Sequence, residues 1–451
     1  MYGVAGKTFS VVALGCRTNR YEAEALASML ERRGAVFSPS GSPDIVIVLT
    51  CSITSVADSK TRKLLRRARR TYPSAVIVAC GCSVQRLASG EAESLGVDIL
   101  AGNRMKHEVP DALETWFSDG GEKRKAVLEL RDAGIESNTS WDDLSLDRPR
   151  TRTRAFVKIQ DGCSMRCSYC IVPRVRGPET SRGAGEVFGE ISGIAGSGCV
   201  EVVLTGIRLG GYRDADVGLS GLIASLSSIH GLRRLRLGSL EPFAVNVELL
   251  RAISSSPIFC PHLHLPIQSG DDGVLARMRR GYDLAGFRRT VDMVREALGD
   301  DVHISTDLIV GFPGETDAAF EMSLSAMEDI GFGKVHVFPF SPRSGTDAAM
   351  MDGRVPPRLV RERITRTAAL SDRLLSRYAA RWVGASDVIL AEESSGRVVS
   401  GWTSHYLKAC AMSPGRNFEG TEISINPKSE IRGILLGEGI TSEDLTSFPN
   451  E

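Results

Sequence analysis

Six cysteines in this chain have spacings that suit chemistry. Cys163, Cys167 and Cys170 stand in DGCSMRCSYCIVP as C-x3-C-x2-C, tight enough for one loop to wrap a metal centre. A structural zinc ion takes four protein ligands, so zinc here would need a distant histidine to complete a knuckle. Three thiolates also suit a four-iron cluster that keeps one iron open for a small molecule. Cys16, Cys51 and Cys82 are spread out, with 34 and 30 residues between them, about one strand–helix unit each time. Taken alone, Cys16 reads four ways: lipid anchor, disulfide partner, core thiol or ligand. The anchor reading is weak. A lipoprotein signal wants Leu three places before the cysteine, where this chain has Ala13, and the apolar run 9–14 falls short of the roughly 7–15 residues of an export core.

The elements that must position these thiols are legible from periodicity. Residues 1–118 alternate between buried-strand runs (TFSVVALGC, DIVIVLTC, AVIVACGC) and helical patterns (RYEAEALASMLERRG, SVADSKTRKLLRRARRTYP) stopped by Gly34 and Pro73. Strands joined by crossover helices imply a parallel sheet covered on both faces, with ligands gathering at the carboxyl ends of the strands. Cys16, Cys51 and Cys82 each fall at such an end, so three thiols converge on one sheet edge. Cys80 lies inside the third strand and is expected in the core. Residues 119–153 are polar and read as a linker, with one strand at 126–130. Residues 154–383 begin with six further strand candidates: RAFVKIQ, VEVVLTGI, LRRLRLGSLEP, HLHLPIQS, VHISTDLIVGF and KVHVFPFS. Six strand–helix units suggest a partial (β/α)6 barrel with chemistry at the C-terminal face of its strands. A basic helix covers 355–383. Residues 384–438 read as a small all-β barrel, and 439–451 as a disordered tail. The fold class is thus α/β, with a three-layer parallel-sheet domain, a partial barrel and a small β module.

Composition narrows the function classes. The 451 residues are 42% hydrophobic and 24% charged with zero formal net charge, ordinary for a globular protein. Any surface for nucleic acid must therefore be local. No apolar run approaches the roughly 20 residues of a membrane helix. A cytoplasmic enzyme is expected, without a membrane role, and its ten cysteines are not expected to form a disulfide framework.

A cysteine triad after the first strand of a six-unit α/β domain is the arrangement that radical chemistry with S-adenosylmethionine needs. There the methionyl amino and carboxylate groups chelate the open iron. At this point the chain resembles the radical S-adenosylmethionine methylthiotransferases, over about residues 8–437. The resemblance rests on LGCRTNRYEAE, TCSITSVADSKTRKLLRRA, GCSVQ, DGCSMRCSYCIVPRVRGPETSR, EVVLTGIRLGGY, LRLGSLEP, PHLHLPIQSGDDGVLARMRRGY, STDLIVGFPGET and VFPFSPRSGT. It implies two 4Fe–4S clusters, one held by Cys163, Cys167 and Cys170 and an auxiliary one held by Cys16, Cys51 and Cys82. It also implies S-adenosylmethionine as both radical source and methyl donor. Around that cofactor it places Thr205, Gly206, Ser239, Glu241, His264, Gln268, Asp307 and Gly311, the glycines letting backbone approach the adenine. His262 and His264 alternate on one strand, and neither is assigned to a metal. An electron donor such as flavodoxin or ferredoxin and a sulfur source are implied partners. A monomer is the default.

Family members modify adenosine beside the tRNA anticodon, carrying either a threonylcarbamoyl or an isopentenyl group, or an aspartate of a ribosomal protein. LGCRTNRYE, LTGIRLGGY and SVADSKTRKLLRRA are similar to the threonylcarbamoyl branch, so the expected partner is a tRNA anticodon stem-loop. A non-catalytic metal-containing RNA-binding protein is the alternative of a different class. Arg174, Arg176, Arg182 and Arg208 lie on loops expected at the barrel mouth, where an arginine fork suits a carboxylate or phosphate; pairing with local acids such as Glu179 is the alternative. The helix around 58–70 carries seven basic residues in eleven positions and could track phosphates. Trp402, Tyr406 and Lys408 in GWTSHYLKA suit unpaired bases and phosphates, Trp402 reading equally as a core residue.

Overall fold

The computed structural model describes residues 3–88, 90–119, 127–132, 134–150, 153–413, 415, 418–441 and 444–447. Its first sheet is parallel and runs β1 (Thr8–Ala13), β2 (Ile45–Thr50), β3 (Val76–Gly81), β4 (Ile99–Ala101) and β5 (Leu128–Leu130), with the short strand Val36–Phe37 edging β1. Phe9 lies opposite Ile45, and Ile45 opposite Val76. Every residue of β2 and β3 is buried, as a sheet covered on both faces requires. Alternation along β2 divides the two cores. Ile45, Ile47 and Leu49 pack with Tyr21, Leu26 and Leu30 of α1 (Arg17–Arg32). Val46 and Val48 pack with Leu65 and Ala68 of α2 (Ser55–Thr71). The Thr54 hydroxyl caps α2 by accepting from the Ala57 N–H at 3.1 Å.

The described residues of the polar segment 119–153 are packed instead of loose. β5 extends the sheet beyond β4, and Ile135, Leu144 and Leu146 are buried. The segment's polar sequence hides this because a buried carboxylate within it is paired. Asp142 is 1% exposed and meets Lys106 at 2.7 Å and His107 at 2.9 Å. The strand expected at 126–130 is Leu128–Leu130, and residue 126 lies outside the described residues.

Six parallel strands make the partial barrel: β6 (Arg154–Lys158), β7 (Glu201–Thr205), β8 (Arg234–Leu237), β9 (His262–His264), β10 (His303–Val310) and β11 (Lys334–Pro339). They form two three-stranded ladders joined by the bridges Leu235–Phe259 and Ser239–His264. The run is open between β6 and β11 among the described residues, and α1 packs along β6. The first sheet and the barrel consequently share one continuous apolar core.

The last six strands are β12 (Asp387–Ser395), β13 (Val398–Thr403), β14 (Lys408–Met412), β15 (Glu422–Ile425), β16 (Ser429–Ile431) and β17 (Ile434–Leu436), ordered β15-β12-β13-β14-β17-β16. No ladder joins β15 to β16 among the described residues. The module is thus a small, curled all-β half-barrel. The β13–β14 hairpin tip plugs the N-terminal end of the large barrel. Arg236 donates to the carbonyls of Thr403 and Ser404 at 2.7 and 3.0 Å, and the His405 carbonyl bonds His303 Nδ1 at 2.7 Å. Of the expected tail, Ile440 is buried and residues 444–447 form a 3-10 turn that seats Leu445 on the module. Residues 442–443 and 448–451 lie outside the described residues.

Candidate functional site

β1, β2 and β3 end side by side, and the thiols of Cys16, Cys51 and Cys82 follow at their carboxyl ends. Gly15 makes the first turn possible. Its φ is +92°, and a Cβ there would stand 2.7 Å from Cys51 Sγ, so glycine lets the Cys16 and Cys51 loops touch. Asn19 stitches two strand ends by donating to the carbonyls of Leu14 (2.6 Å) and Thr50 (2.9 Å). Ser83 Oγ donates to the Cys51 carbonyl at 2.7 Å. Cys51 and Cys82 are buried and Cys16 is exposed. Burial, with the neighbouring Cys82, pushes the Cys51 thiol up to about 12. Three thiols at one sheet edge suit metal ligation, in which the metal takes the proton's place. Cys80 is fully buried in the apolar core facing α1.

Beside this triad lies a buried charged cluster that links the two halves. Arg176 donates through Nε to Cys82 Sγ at 3.3 Å, through Nη1 to Glu22 and Asp161 at 3.0 Å each, and through Nη2 to Asn19 Oδ1 at 3.0 Å. Lys158 meets Glu22 at 3.0 Å and Asp161 at 3.2 Å, and Lys106 meets Glu22 at 3.5 Å and Asp142 at 2.7 Å. Three cations thus face three carboxylates, all nearly solvent-free. Burial alone would raise Glu22 and Asp161, but Arg176 with the two lysines holds both below the ordinary carboxylate range.

The second triad sits on the loop after β6. Gly162, at φ +72°, has no room for a side chain, since a Cβ would meet the Pro178 carbonyl oxygen at 1.9 Å. Cys163 N donates to the Gly177 carbonyl at 3.0 Å and Cys170 N to the Cys167 carbonyl at 3.1 Å, curling the loop. Arg280, 6% exposed, donates to Cys167 Sγ at 3.3 Å. Burial pushes Cys163 up to about 11 and Cys170 to about 12. Next to Cys163, Glu241 has a buried Oε2 without a hydrogen-bond partner, and burial raises its carboxyl. An orphaned carboxylate beside a thiol triad suits a cationic ligand such as the ammonium of S-adenosylmethionine. Among the described residues no three His, Cys, Asp or Glu side chains converge on one ion-sized point. A cubane cluster does not ask for that, because each thiolate takes its own iron. The two triads are close: Cys82 packs on Ile171 and on Val175 of the short helix Val172–Arg176, which starts two residues after Cys170.

The other expected cofactor residues lie around the barrel's C-terminal end. Thr205 closes β7, and Gly206 passes Gln160. Ser239 is exposed and bridges to His264, whose Nε2 meets Asp307 at 3.2 Å. Gln268 has the uncommon φ of +65°. At Gly311 φ is +77° and a Cβ would strike Val360 at 2.6 Å, so the position also needs glycine for packing. The four arginines separate. Arg176 is buried in the charged cluster. Arg182 is 5% exposed and pairs with Glu190. Arg208 meets Glu179 at 2.6 Å, and Arg174 is exposed. Trp402 and Tyr406 stack on each other at 4.8 Å, and Tyr406 stacks on His262 at 4.5 Å. The pair therefore faces the barrel end, not outward. Lys408 is half-buried, 3.9 Å from Glu393. On α2, Arg62 pairs with Glu91 and Arg69 with Asp98, while Lys63, Arg66, Arg67 and Arg70 are exposed. Sequence reading missed Asn19, Glu22, Lys106, Asp142 and Arg280. The first two stood within the quoted NRYE, where polar residues on an otherwise apolar helix face were the available signal.

Comparisons with known proteins agree with this geometry. A radical SAM superfamily model matches residues 157–327, and one described as "Uncharacterized protein family UPF0004" matches residues 8–102. The threonylcarbamoyladenosine tRNA methylthiotransferase MtaB of Thermotoga maritima is 36% identical over 406 residues, 89% of this chain and 91% of that one. The protein of that name from Bacillus subtilis is 32% identical, covering 95% of this chain and 94% of its own. The tRNA-2-methylthio-N(6)-dimethylallyladenosine synthase of Thermobifida fusca is 34% identical, covering 87% and 79%. The methyltransferase TsrM of Kitasatospora setae shares the fold, with a TM-score of 0.58 and 16% identity over 74% of this chain and 73% of that one.

Proposed function

The chain belongs to the radical S-adenosylmethionine tRNA methylthiotransferases, and from that premise we propose that it places a methylthio group on C2 of N6-threonylcarbamoyladenosine beside the tRNA anticodon. The observation that carries the reading is the pairing of two cysteine triads, one at the carboxyl ends of β1–β3 and one after β6, joined by the helix Val172–Arg176. The match to relatives named for this substrate, over nearly their whole length, supports the choice of nucleoside.

In this reading Cys163, Cys167 and Cys170 hold one 4Fe–4S cluster, and Cys16, Cys51 and Cys82 hold the other. When bound, the clusters and S-adenosylmethionine supply the radical, the sulfur and the methyl group. The chain's own residues bind and orient. Glu241 receives the cofactor's ammonium, with Ser239, Gln268 and Asp307 around the same barrel end. Arg280 and Arg176 direct N–H donors at Cys167 and Cys82, which steadies thiolate charge. The exposed cations of α2 follow RNA phosphates. Residues 1–118 carry the sulfur site, 154–383 the cofactor site and 384–438 the RNA-associated module. A flavodoxin- or ferredoxin-type electron donor and an external sulfur source complete the cycle, and the enzyme works as a cytoplasmic monomer. Among the described residues no helix is long and apolar enough to cross a membrane.

Relatives named for dimethylallyladenosine match at similar identity, which makes that nucleoside the second reading. Deleting the gene and analysing tRNA nucleosides by mass spectrometry decides between them. Loss of 2-methylthio-threonylcarbamoyladenosine is expected. Its persistence, with loss of the dimethylallyl counterpart, would favour the second reading.

A further inference from the structure

Arg17 follows Cys16 directly and opens α1. A cation there opposes the helix dipole, and the first turn has no acid to offset it. Among the described residues Arg17 forms no ion pair, and its one side-chain hydrogen bond runs from Nη2 to Tyr406 Oη at 3.3 Å, reaching the hairpin that plugs the far end of the barrel. Tyr406 is a firm anchor. It stacks on His262 and Trp402, and the Arg236 guanidinium lies 4.8 Å from its ring centroid. The charge of Arg17 reaches His262 and His336 as well. Burial, then neighbouring cations including Arg17, holds both imidazoles below their usual range. The nearby carboxylate of Asp307 is already engaged by His264 at 3.2 Å. A guanidinium offers five N–H donors in a fork suited to carboxylates, and Tyr406 accepts one of them.

From this placement we infer that Arg17 is a specificity-determining residue that binds the carboxylate of the substrate's N6 substituent inside the barrel. The inference rests on the proposed substrate. A threonylcarbamoyl group ends in a carboxylate, and a dimethylallyl group carries no charge. Because Arg17 is the neighbour of Cys16, an anion held by its fork keeps the nucleoside within a side chain's reach of the auxiliary triad. Tyr406 is a positioning residue, since its hydroxyl directs the guanidinium inward.

The test uses the reconstituted holoenzyme under anaerobic conditions, with fluorescent anticodon stem-loops bearing threonylcarbamoyladenosine, its methyl ester or dimethylallyladenosine. Wild-type enzyme is expected to bind the acid about 10–100-fold more tightly than the ester, the range of a charge-assisted hydrogen bond. In Arg17→Met that ratio falls to near one. Arg17→Lys keeps part of it, and Tyr406→Phe lowers it. Iron content of each variant guards against misfolding, and the acid–ester comparison in wild-type protein needs no variant at all. An acid–ester ratio near one in wild-type enzyme overturns the inference, as does a ratio unchanged in Arg17→Met. Either result leaves the substrate reading standing if the acid stem-loop is still methylthiolated. If only the dimethylallyl stem-loop is methylthiolated, the substrate reading itself fails.

Discussion

Replacing Arg176 by Met removes one cation from a closed group of six buried charges. Glu22, Asp161 and Asp142 remain, facing Lys106 and Lys158 inside the cluster, with the half-buried His107 at its edge, 2.9 Å from Asp142. Glu22 keeps Lys158 at 3.0 Å and Asp161 keeps Lys158 at 3.2 Å, so neither carboxylate is abandoned. One negative charge is nevertheless uncompensated, and Asn19 and Cys82 are each deprived of a donor. Breaking a buried pair costs about 3–5 kcal/mol, and the surviving lysine partners place this case near 3 kcal/mol. With a urea slope of about 3 kcal/mol/M, the midpoint falls by about 1 M. The assay is urea unfolding of cluster-free protein followed by tryptophan fluorescence. Trp141 is a local reporter, with Lys158 Nζ lying 4.8 Å from its ring centroid. Adding Asp161→Asn to Arg176→Met restores two cations against two carboxylates and should recover part of the loss, a coupling of about 1.5 kcal/mol or more. The pH dependence has a sign. Glu22 and Asp161 are held below their ordinary values of 4.5 and 3.8, so wild type keeps their contribution above that range and loses it in acid. In Arg176→Met one carboxylate is raised instead, and the gap to wild type narrows as pH falls. A midpoint shift under about 0.3 M, or a double variant weaker than Arg176→Met alone, would refute the charge count.

Three other outcomes follow from the same geometry. Alanine at Cys163, Cys167 and Cys170 should remove about half the bound iron and abolish cleavage of S-adenosylmethionine, read as 5'-deoxyadenosine by chromatography. Glu241→Gln should weaken S-adenosylmethionine binding about tenfold, measured by anaerobic calorimetry, because a charged partner of the ammonium becomes neutral. Replacing Lys63, Arg66 and Arg67 of α2 by Gln should lower the slope of log binding constant against log salt by about one for each phosphate no longer neutralised, measured with the anticodon stem-loop.

Much of this architecture was legible because its signals are local. The continuous apolar runs of β2 and β3 mark a doubly covered parallel sheet, and a cysteine at each of three strand ends already implied a shared edge. The C-x3-C-x2-C loop needed no tertiary information. What stayed hidden depends on partners far apart in sequence. Arg176 and Arg182 read as mouth residues, yet Arg176 is buried against Glu22, 154 residues away, and Arg182 against Tyr21, 161 residues away. Segment 119–153 looked like a linker because Asp142 is polar, though its partners Lys106 and His107 bury it. Tyr406 reads as an RNA-facing ring in GWTSHYLKA, but its hairpin meets the barrel end, where it stacks on His262. The packing of Gly311 against Val360, 49 positions on, is likewise invisible in the sequence.

Whether the two triads do separate jobs on a threonylcarbamoyl nucleoside can be read in a single competition. Reconstituted enzyme is given equal amounts of threonylcarbamoyl and dimethylallyl stem-loops, and the products are identified by mass spectrometry. Wild-type enzyme should methylthiolate the threonylcarbamoyl stem-loop. Enzyme with alanine at Cys16, Cys51 and Cys82 should still cleave S-adenosylmethionine yet attach no sulfur. Sulfur insertion by that triple variant, or product only on the dimethylallyl stem-loop, would contradict this division of labour.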